Sequence, residues 1–181
     1  MYYVYYGDIA NLHIDAIVNP VHNTLIGMAG LSGHIQKVGG SQLIEKCEER
    51  GVLKHNEVFL SFGYDLPARH VVHILSPMWL GGGSGELTKL EICYINCINL
   101  AIEKGFKEIA FPAIGTGLDG FPAIEATQVA LRVIANYLED RENQIDIIFC
   151  CYNDEAFDAY RDELKLRGID YLNYSLHTEE V

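Results

Sequence analysis

Gly115, Thr116, Gly117, Leu118, Asp119 and Gly120 form a GxGxxG string between a strand-like run, Glu108–Pro112, and a helix-like run after Pro122. Glycines in that setting let the backbone turn sharply and bring its N–H groups close to a phosphate. A second segment, with Gly27, Ala29, Gly30, Leu31, Ser32 and Gly33, also joins a buried strand to a helix start. Two such loops at C-terminal strand ends can face each other across a crevice. Their N–H groups and the positive helix ends would clamp two linked phosphates without basic side chains. Two side chains nearby suit proton transfer. His22 carries an imidazole, a group that exchanges protons near neutral pH, and Asp119 places a carboxylate inside the second loop.

The GxGxxG string is not read as a Rossmann fingerprint. That fingerprint belongs to the first strand-to-helix turn and needs an acid at a strand end about 20 residues on. Here the string starts late in the chain, and the acids near that offset, Glu139 and Asp140, fall at a helix end. Prolines at 112 and 122 also bracket the loop more tightly than the fingerprint expects.

The elements that would position these loops alternate along the chain. Strands are expected at 2–6, 15–19, 57–63, 70–76, 108–112 and 146–151, with a last one at 169–172. Residues 20–31 read as a loop. A short helix opens at Ser32 or Gly33 and stops at Gly39 and Gly40. Ser41 then caps a helix over 42–50, closed by Gly51. Residues 81–85 read as a flexible glycine linker. Thr88 with Glu91 resembles a capping box for a helix ending before Gly105. Pro122 fits the first position of a helix to about Leu138, and Asn153 caps one through Leu166. The pattern predicts a single α/β domain over 1–181: a three-layer α/β/α sandwich whose mixed, mostly parallel sheet has about six strands. The core would span 1–172 and an acidic tail 173–181.

Twenty-five acids against 13 bases give a formal charge of −12. A surface that acidic repels a phosphate backbone, which excludes non-specific nucleic-acid binding. No apolar run approaches the ~20 residues that span a bilayer, so no membrane partner is expected. The N-terminus lacks the features of a signal peptide. Five cysteines without framework spacing suit a reducing, cytoplasmic-type compartment. Cys93 and Cys97 fall on the apolar stripe of a helix and read as core residues rather than metal ligands. His70 and His73, three apart on a strand, face opposite sides.

Taken in order, several segments resemble the macro domain family: Gly7, Asp8 and Ile9 after the first strand; residues 15–19; the loop 25–33; residues 63–67; Val72 and His73; and residues 109–117 through Gly120, Phe121 and Pro122. The resemblance covers nearly the whole chain and implies one ADP-ribose site across the strand ends, with no further cofactor. Asp8 would accept from the adenine amino group and the Ile9 N–H would serve the neighbouring ring nitrogen. Tyr152 would lay its ring on adenine, with Asn153 beside it. Residues 27–32 would wrap the phosphate and distal ribose, and 115–121 would cradle the diphosphate.

The chain departs from the commonest hydrolytic pattern of that family, which carries Asn-Ala-Ala-Asn after the second strand and an Asp in the first loop. Here Asn19 is followed by Pro20, Val21 and His22, and Ser32 stands in place of the Asp. A serine is a poor general base at neutral pH, and the Asn19 amide suits tying the loop together. A distinct hydrolase subgroup has a similar Gly-Leu-Asp string paired with a lysine, but 70–76 offers no lysine. Two functions follow from the resemblance: a module that binds free or protein-linked ADP-ribose, or a hydrolase of ADP-ribosyl bonds that uses His22 or Asp119. Intact glycines in both loops argue against an inert scaffold.

Overall fold

The computed structural model describes residues 1–22, 25, 27, 29–139 and 145–175. Seven strands form one sheet in the order β3-β4-β2-β5-β6-β1-β7: β1 Tyr2–Tyr6, β2 Ala16–Val21, β3 Val58–Phe62, β4 His70–Leu75, β5 Glu108–Pro112, β6 Asp146–Cys151 and β7 Tyr171–Asn173. All pairings are parallel except β3 with β4. The helices are α1 Gly30–Arg50, α2 Glu86–Lys104, α3 Ala123–Leu138 and α4 Asp154–Leu166. Among the described residues no helix is long and apolar enough to cross a membrane.

Alternation along the strands builds the three layers. In β2, Ala16 and Val18 pack with α2, α3 and α4, while Ile17 and Val21 pack on the opposite face with α1. Ile147 and Phe149 of β6 face the three-helix side, and Ile148 and Cys150 the other. All five cysteines are buried free thiols. Burial pushes Cys93 up to about 12 and Cys97 well above the usual thiol range, so both are inert core groups.

The sheet splits where the loops emerge. β2 and β5 pair only at Ala16–Ile109 and Ile17–Ala110, yet both strands run on, to Val21 and Pro112. Pro20 and Pro112 fall beyond the end of that ladder, where a missing N–H costs no strand pairing. The crevice that results is where ligands sit in open α/β sheets.

Several elements differ from the sequence expectation. The two helices expected on either side of residues 39–41 are present within the span Gly30–Arg50 and meet at Gly40, whose backbone is non-helical (φ 82°, ψ −177°). The break falls at Gly40, one residue before the expected cap, Ser41. A side chain at Gly40 would bring its Cβ to 2.2 Å from Asp65 Oδ2, so the break requires glycine. α2 starts at Glu86, one turn's half before Thr88. The buried Glu86 carboxylate accepts from the N–H groups of Leu80, Gly82 and Ser84, which hold 81–85 in place of a free linker. Its own N–H, then those of Ser84, Gly82 and Leu80, hold its carboxyl below the usual range. Pro122 is the cap residue before α3 rather than its first turn. The last strand is Tyr171–Asn173, making seven strands where about six were expected. Asp140 and residues 176–181 of the expected tail lie outside the described residues, as do 23, 24, 26 and 28 of the first loop.

Candidate functional site

The C-terminal ends of β1, β2, β5 and β6 open into one cleft of about 970 Å³, at the upper end of small-molecule sites. Both glycine loops line it. Gly27, Ala29, Gly30, Leu31 and Ser32 form one wall, and Gly115, Thr116, Gly117, Leu118 and Asp119 the facing one. The loops nearly touch: a Cβ at Gly30 would lie 3.4 Å from Leu118 Cδ1.

The first wall is the start of α1. Its cap residue, Ala29, has no side-chain acceptor to offer, so among the described residues no side chain caps the first-turn N–H groups, which suit an anion. Gln36 braces the turn from beneath, taking the Gly27 N–H at 2.9 Å and donating to the Leu25 carbonyl. A side chain at Gly27 would strike the backbone of Ser32 at 2.6 Å. Gly27 is therefore needed for the close packing of the loop on its helix.

In the facing wall, Thr116, Gly120 and Phe121 spend their N–H groups on turn bonds to Ala113, Gly117 and Gly115. The N–H groups of Gly117, Leu118 and Asp119 engage no partner among the described residues. Gly115 adopts φ 84°, and Phe121 fills the space where its side chain would be, at 2.7 Å. Phe121 in turn packs on the ring of Trp79, and the Trp79 backbone N–H donates to the Asp119 carbonyl at 2.8 Å.

One end of the cleft, over β1 and β6, holds Asp8, Ile9, Cys150 and Tyr152. Asp8 accepts from the Ala10 N–H at 2.9 Å, capping a single 3-10 turn, Ile9–Asn11. Its second oxygen meets His34 Nε2 at 2.7 Å. Tyr152 is 68% exposed, an unusually bare aromatic ring beside a cleft. The other end, over β2, holds Pro20 and His22. There the structure brings together two residues that the sequence offered separately: His22 Nδ1 lies 3.6 Å from Asp119 Oδ1. His22 is more than half exposed and Asp119 mostly covered, and that Asp119 oxygen has no hydrogen-bond partner among the described residues.

The family model for the macro domain matches residues 18–130. The chain belongs to the macro domain family. A macro domain-containing protein of Chlorobaculum tepidum is 40% identical over 87% of this chain and 91% of its own length. A protein of Enterobacter cloacae named O-acetyl-ADP-ribose deacetylase is 36% identical over 91% of this chain and 94% of its own. The Oceanobacillus iheyensis macrodomain, solved with ADP, superposes with a TM-score of 0.84 at 28% identity, covering 90% of this chain and 88% of that one.

Four expected contacts of this macro domain lie off the cleft surface. Asn19 is fully buried beneath it, its amide 3.3 Å from Ser32 Oγ and 3.1 Å from His73 Nδ1. Phe121 is covered by the loop it supports, and Gly120 lies in the same turn. Asn153 accepts from the Ala156 N–H at 2.9 Å as the cap of α4. Two cleft-lining side chains with polar or nucleophilic atoms, His34 and Cys150, were missed. His34 follows Gly30 by one helical turn, a spacing that places both on one face of α1. Cys150 faces the cleft through strand alternation. Its thiol, pushed up by burial, bonds the Gly7 carbonyl at 3.3 Å and is no nucleophile. Cys47 Sγ lies 3.9 Å from His73 Nε2 but forms no catalytic pair, because burial moves the thiol up to about 11 and the imidazole down to about 3.

Proposed function

We propose that this macro domain binds ADP-ribose, free or attached to a protein. The observation that carries the reading is the pair of glycine loops, meeting across one cleft with N–H groups on both walls that have no partner among the described residues. Such a clamp suits a diphosphate on a protein of charge −12, because it needs no lysine or arginine. Asp8 offers an acceptor to an adenine amino group and Tyr152 a face for any purine. The diphosphate lies on the two loops, and the distal ribose extends towards Ser32 and His22. The Oceanobacillus iheyensis macrodomain was solved with ADP, and a variant of it with ADPR, which supports the same class of ligand. Calorimetric titration tests the reading: ADP-ribose binds more tightly than AMP or NAD. Equal or absent binding of ADP-ribose would sink it.

A second reading rests on the His22–Asp119 contact. An imidazole beside a covered carboxylate is the arrangement that activates water in ester hydrolysis, with the carboxylate stabilising the imidazolium. Enterobacterial relatives named O-acetyl-ADP-ribose deacetylase favour an ester at the distal ribose as the bond cleaved. The replacement of the usual first-loop Asp by Ser32 favours binding alone. Incubation with O-acetyl-ADP-ribose and with a mono-ADP-ribosylated acidic peptide separates the two: intact ligands over hours support the binding module.

A further inference from the structure

Four polar side chains run across β3, β4 and β2 on the α1 face of the sheet and end at the cleft. Ser61 on β3 lies 2.9 Å from His73 Nε2 on β4. His73 Nδ1 lies 3.1 Å from Asn19 Nδ2 on β2, and the same amide nitrogen reaches Ser32 Oγ at 3.3 Å. Asn19 and His73 are fully buried, and Ser61 nearly so. Only Ser32 reaches the cleft.

Donor and acceptor counting gives this relay a direction. Burial holds the imidazole neutral, at about 3, so one ring nitrogen donates and the other accepts. An amide has two hydrogens and Asn19 has two neighbours for them. His73 Nδ1 then accepts, Nε2 carries the proton, and Ser61 Oγ accepts it. The reversed amide would point its oxygen at Ser32 and His73 and leave two buried N–H donors without partners. The observed orientation leaves one carbonyl oxygen, Asn19 Oδ1. An orphaned acceptor is the lesser cost. Ser32 Oγ accordingly accepts from Asn19, and its own hydrogen is free to point outward.

We infer that the Ser61–His73–Asn19 relay holds the Ser32 hydroxyl as a hydrogen-bond donor to an acceptor oxygen beyond the diphosphate of the ligand. Asn19, His73 and Ser61 are then positioning residues for the choice between ADP-ribose and ADP. This rests on the ADP-ribose reading. Ser32 stands on the β2 side with His22, across β5 and β6 from Asp8, where the part of ADP-ribose that ADP lacks would lie. It also explains why serine suits this position in a binding module: an outward O–H grips a ribose oxygen, but a neutral hydroxyl is too weak a base to draw a proton from water.

Titration of ADP-ribose and ADP against wild type and variants tests this. Ser32→Ala should weaken ADP-ribose by about 5–10-fold, the worth of one hydrogen bond, and ADP by less than about 2-fold. Ser32→Thr, which keeps the hydroxyl, should restore the preference. His73→Leu should lower the ADP-ribose-to-ADP ratio as Ser32→Ala does, and add no further loss in the Ser32→Ala background. Should His73→Leu fail to fold, Ser61→Ala gives the same readout with a smaller loss. An unchanged ratio in Ser32→Ala, or additive losses in the double variant, would overturn the relay while leaving ADP-ribose binding intact. Wild-type protein that does not prefer ADP-ribose to ADP would overturn both.

Discussion

Two histidine–aspartate pairs stand at the two ends of the cleft, and they differ in how firmly they are tied. At the β1 end, His34 and Asp8 sit at 2.7 Å, and the Asp8 carboxylate also takes a backbone N–H. At the β2 end, His22 and Asp119 sit at 3.6 Å, and the facing Asp119 oxygen has no hydrogen bond among the described residues. Three strand spacings separate β1 from β2, roughly 14 Å at ~4.8 Å each. Tied polar groups give fixed geometry, which recognition of a base needs. A covered carboxylate with an unsatisfied oxygen stores a demand for a partner, which a ligand hydroxyl, a water or a protonated His22 can meet. On the proposed function, the tied end faces the base and the loose end faces the distal ribose.

The largest effect belongs to the loose pair. In a preparation that releases acetate or ADP-ribose, His22→Ala or Asp119→Asn should cut the rate by ~10²–10⁴-fold, the contribution of a positioned general base. Binding should hold, because the loop N–H groups remain. Release that continues unaltered in the double variant would reduce the loose pair to a surface contact. Complete absence of release by wild type would leave the cleft a binding site at both ends.

The buried His73 sharpens the contrast from beneath. An unfolded histidine titrates near ~6.5, whereas burial brings His73 down to about 3. The unfolded chain therefore takes up the proton first. Stability attributable to this group is complete above ~6.5 and declines as pH falls below it, by up to ~1.4 kcal/mol per unit until the folded value is reached. Denaturant unfolding at pH 7.5 and pH 5.5, compared between wild type and His73→Gln, should show a smaller acid loss in the variant. Equal losses would mean that His73 is protonated in the fold, and the direction assigned to the relay would reverse.

The sequence carried the frame of this site well. Alternating apolar residues mark both faces of β2 and β6, so the layers could be read from period alone. The glycines at 27, 30 and 115 announce tight turns because each backbone there excludes a side chain. What stayed hidden depends on contacts between distant residues. His34 meets Asp8 across 26 positions and His73 meets Asn19 across 54, and periodicity records which face a side chain takes, not whom it meets there. Glu86 hid for a related reason: its partners are backbone N–H groups of a glycine-rich stretch, which composition alone reads as slack. Asn19 and Asn153 show the same dependence on partners: the Asn19 amide ties Ser32 to His73, and the Asn153 oxygen caps α4.

The tied pair should answer more modestly. Asp8→Ala removes the cap of the 3-10 turn and, on the proposed function, the acceptor for the adenine amino group. ADP-ribose binding should weaken by ~1–3 kcal/mol, the range for a hydrogen bond to a charged group or a polar partner left unpaired. Calorimetry of ADP-ribose beside a ligand with hypoxanthine in place of adenine gives the check, since the variant should lose its preference between the bases. Retained preference would move base recognition to Tyr152 and the Ile9 backbone.

The smallest effect is expected at His34, and it tests whether tying matters at all. Its ring holds one Asp8 oxygen, but both groups are more than a third exposed, and exposed pairs contribute only ~0–1 kcal/mol. His34→Ala leaves the Ala10 N–H to orient the carboxylate, so ADP-ribose affinity should fall by no more than about 5-fold. Whatever charge-pair component exists should fade between 50 mM and 500 mM salt, because screening acts first on exposed groups. His34→Gln keeps a donor without a charge and should recover most of the loss in low salt. A fall as large as that of Asp8→Ala would show that the histidine, not the aspartate, touches the ligand, and the two ends of the cleft would then differ in kind less than their geometry implies.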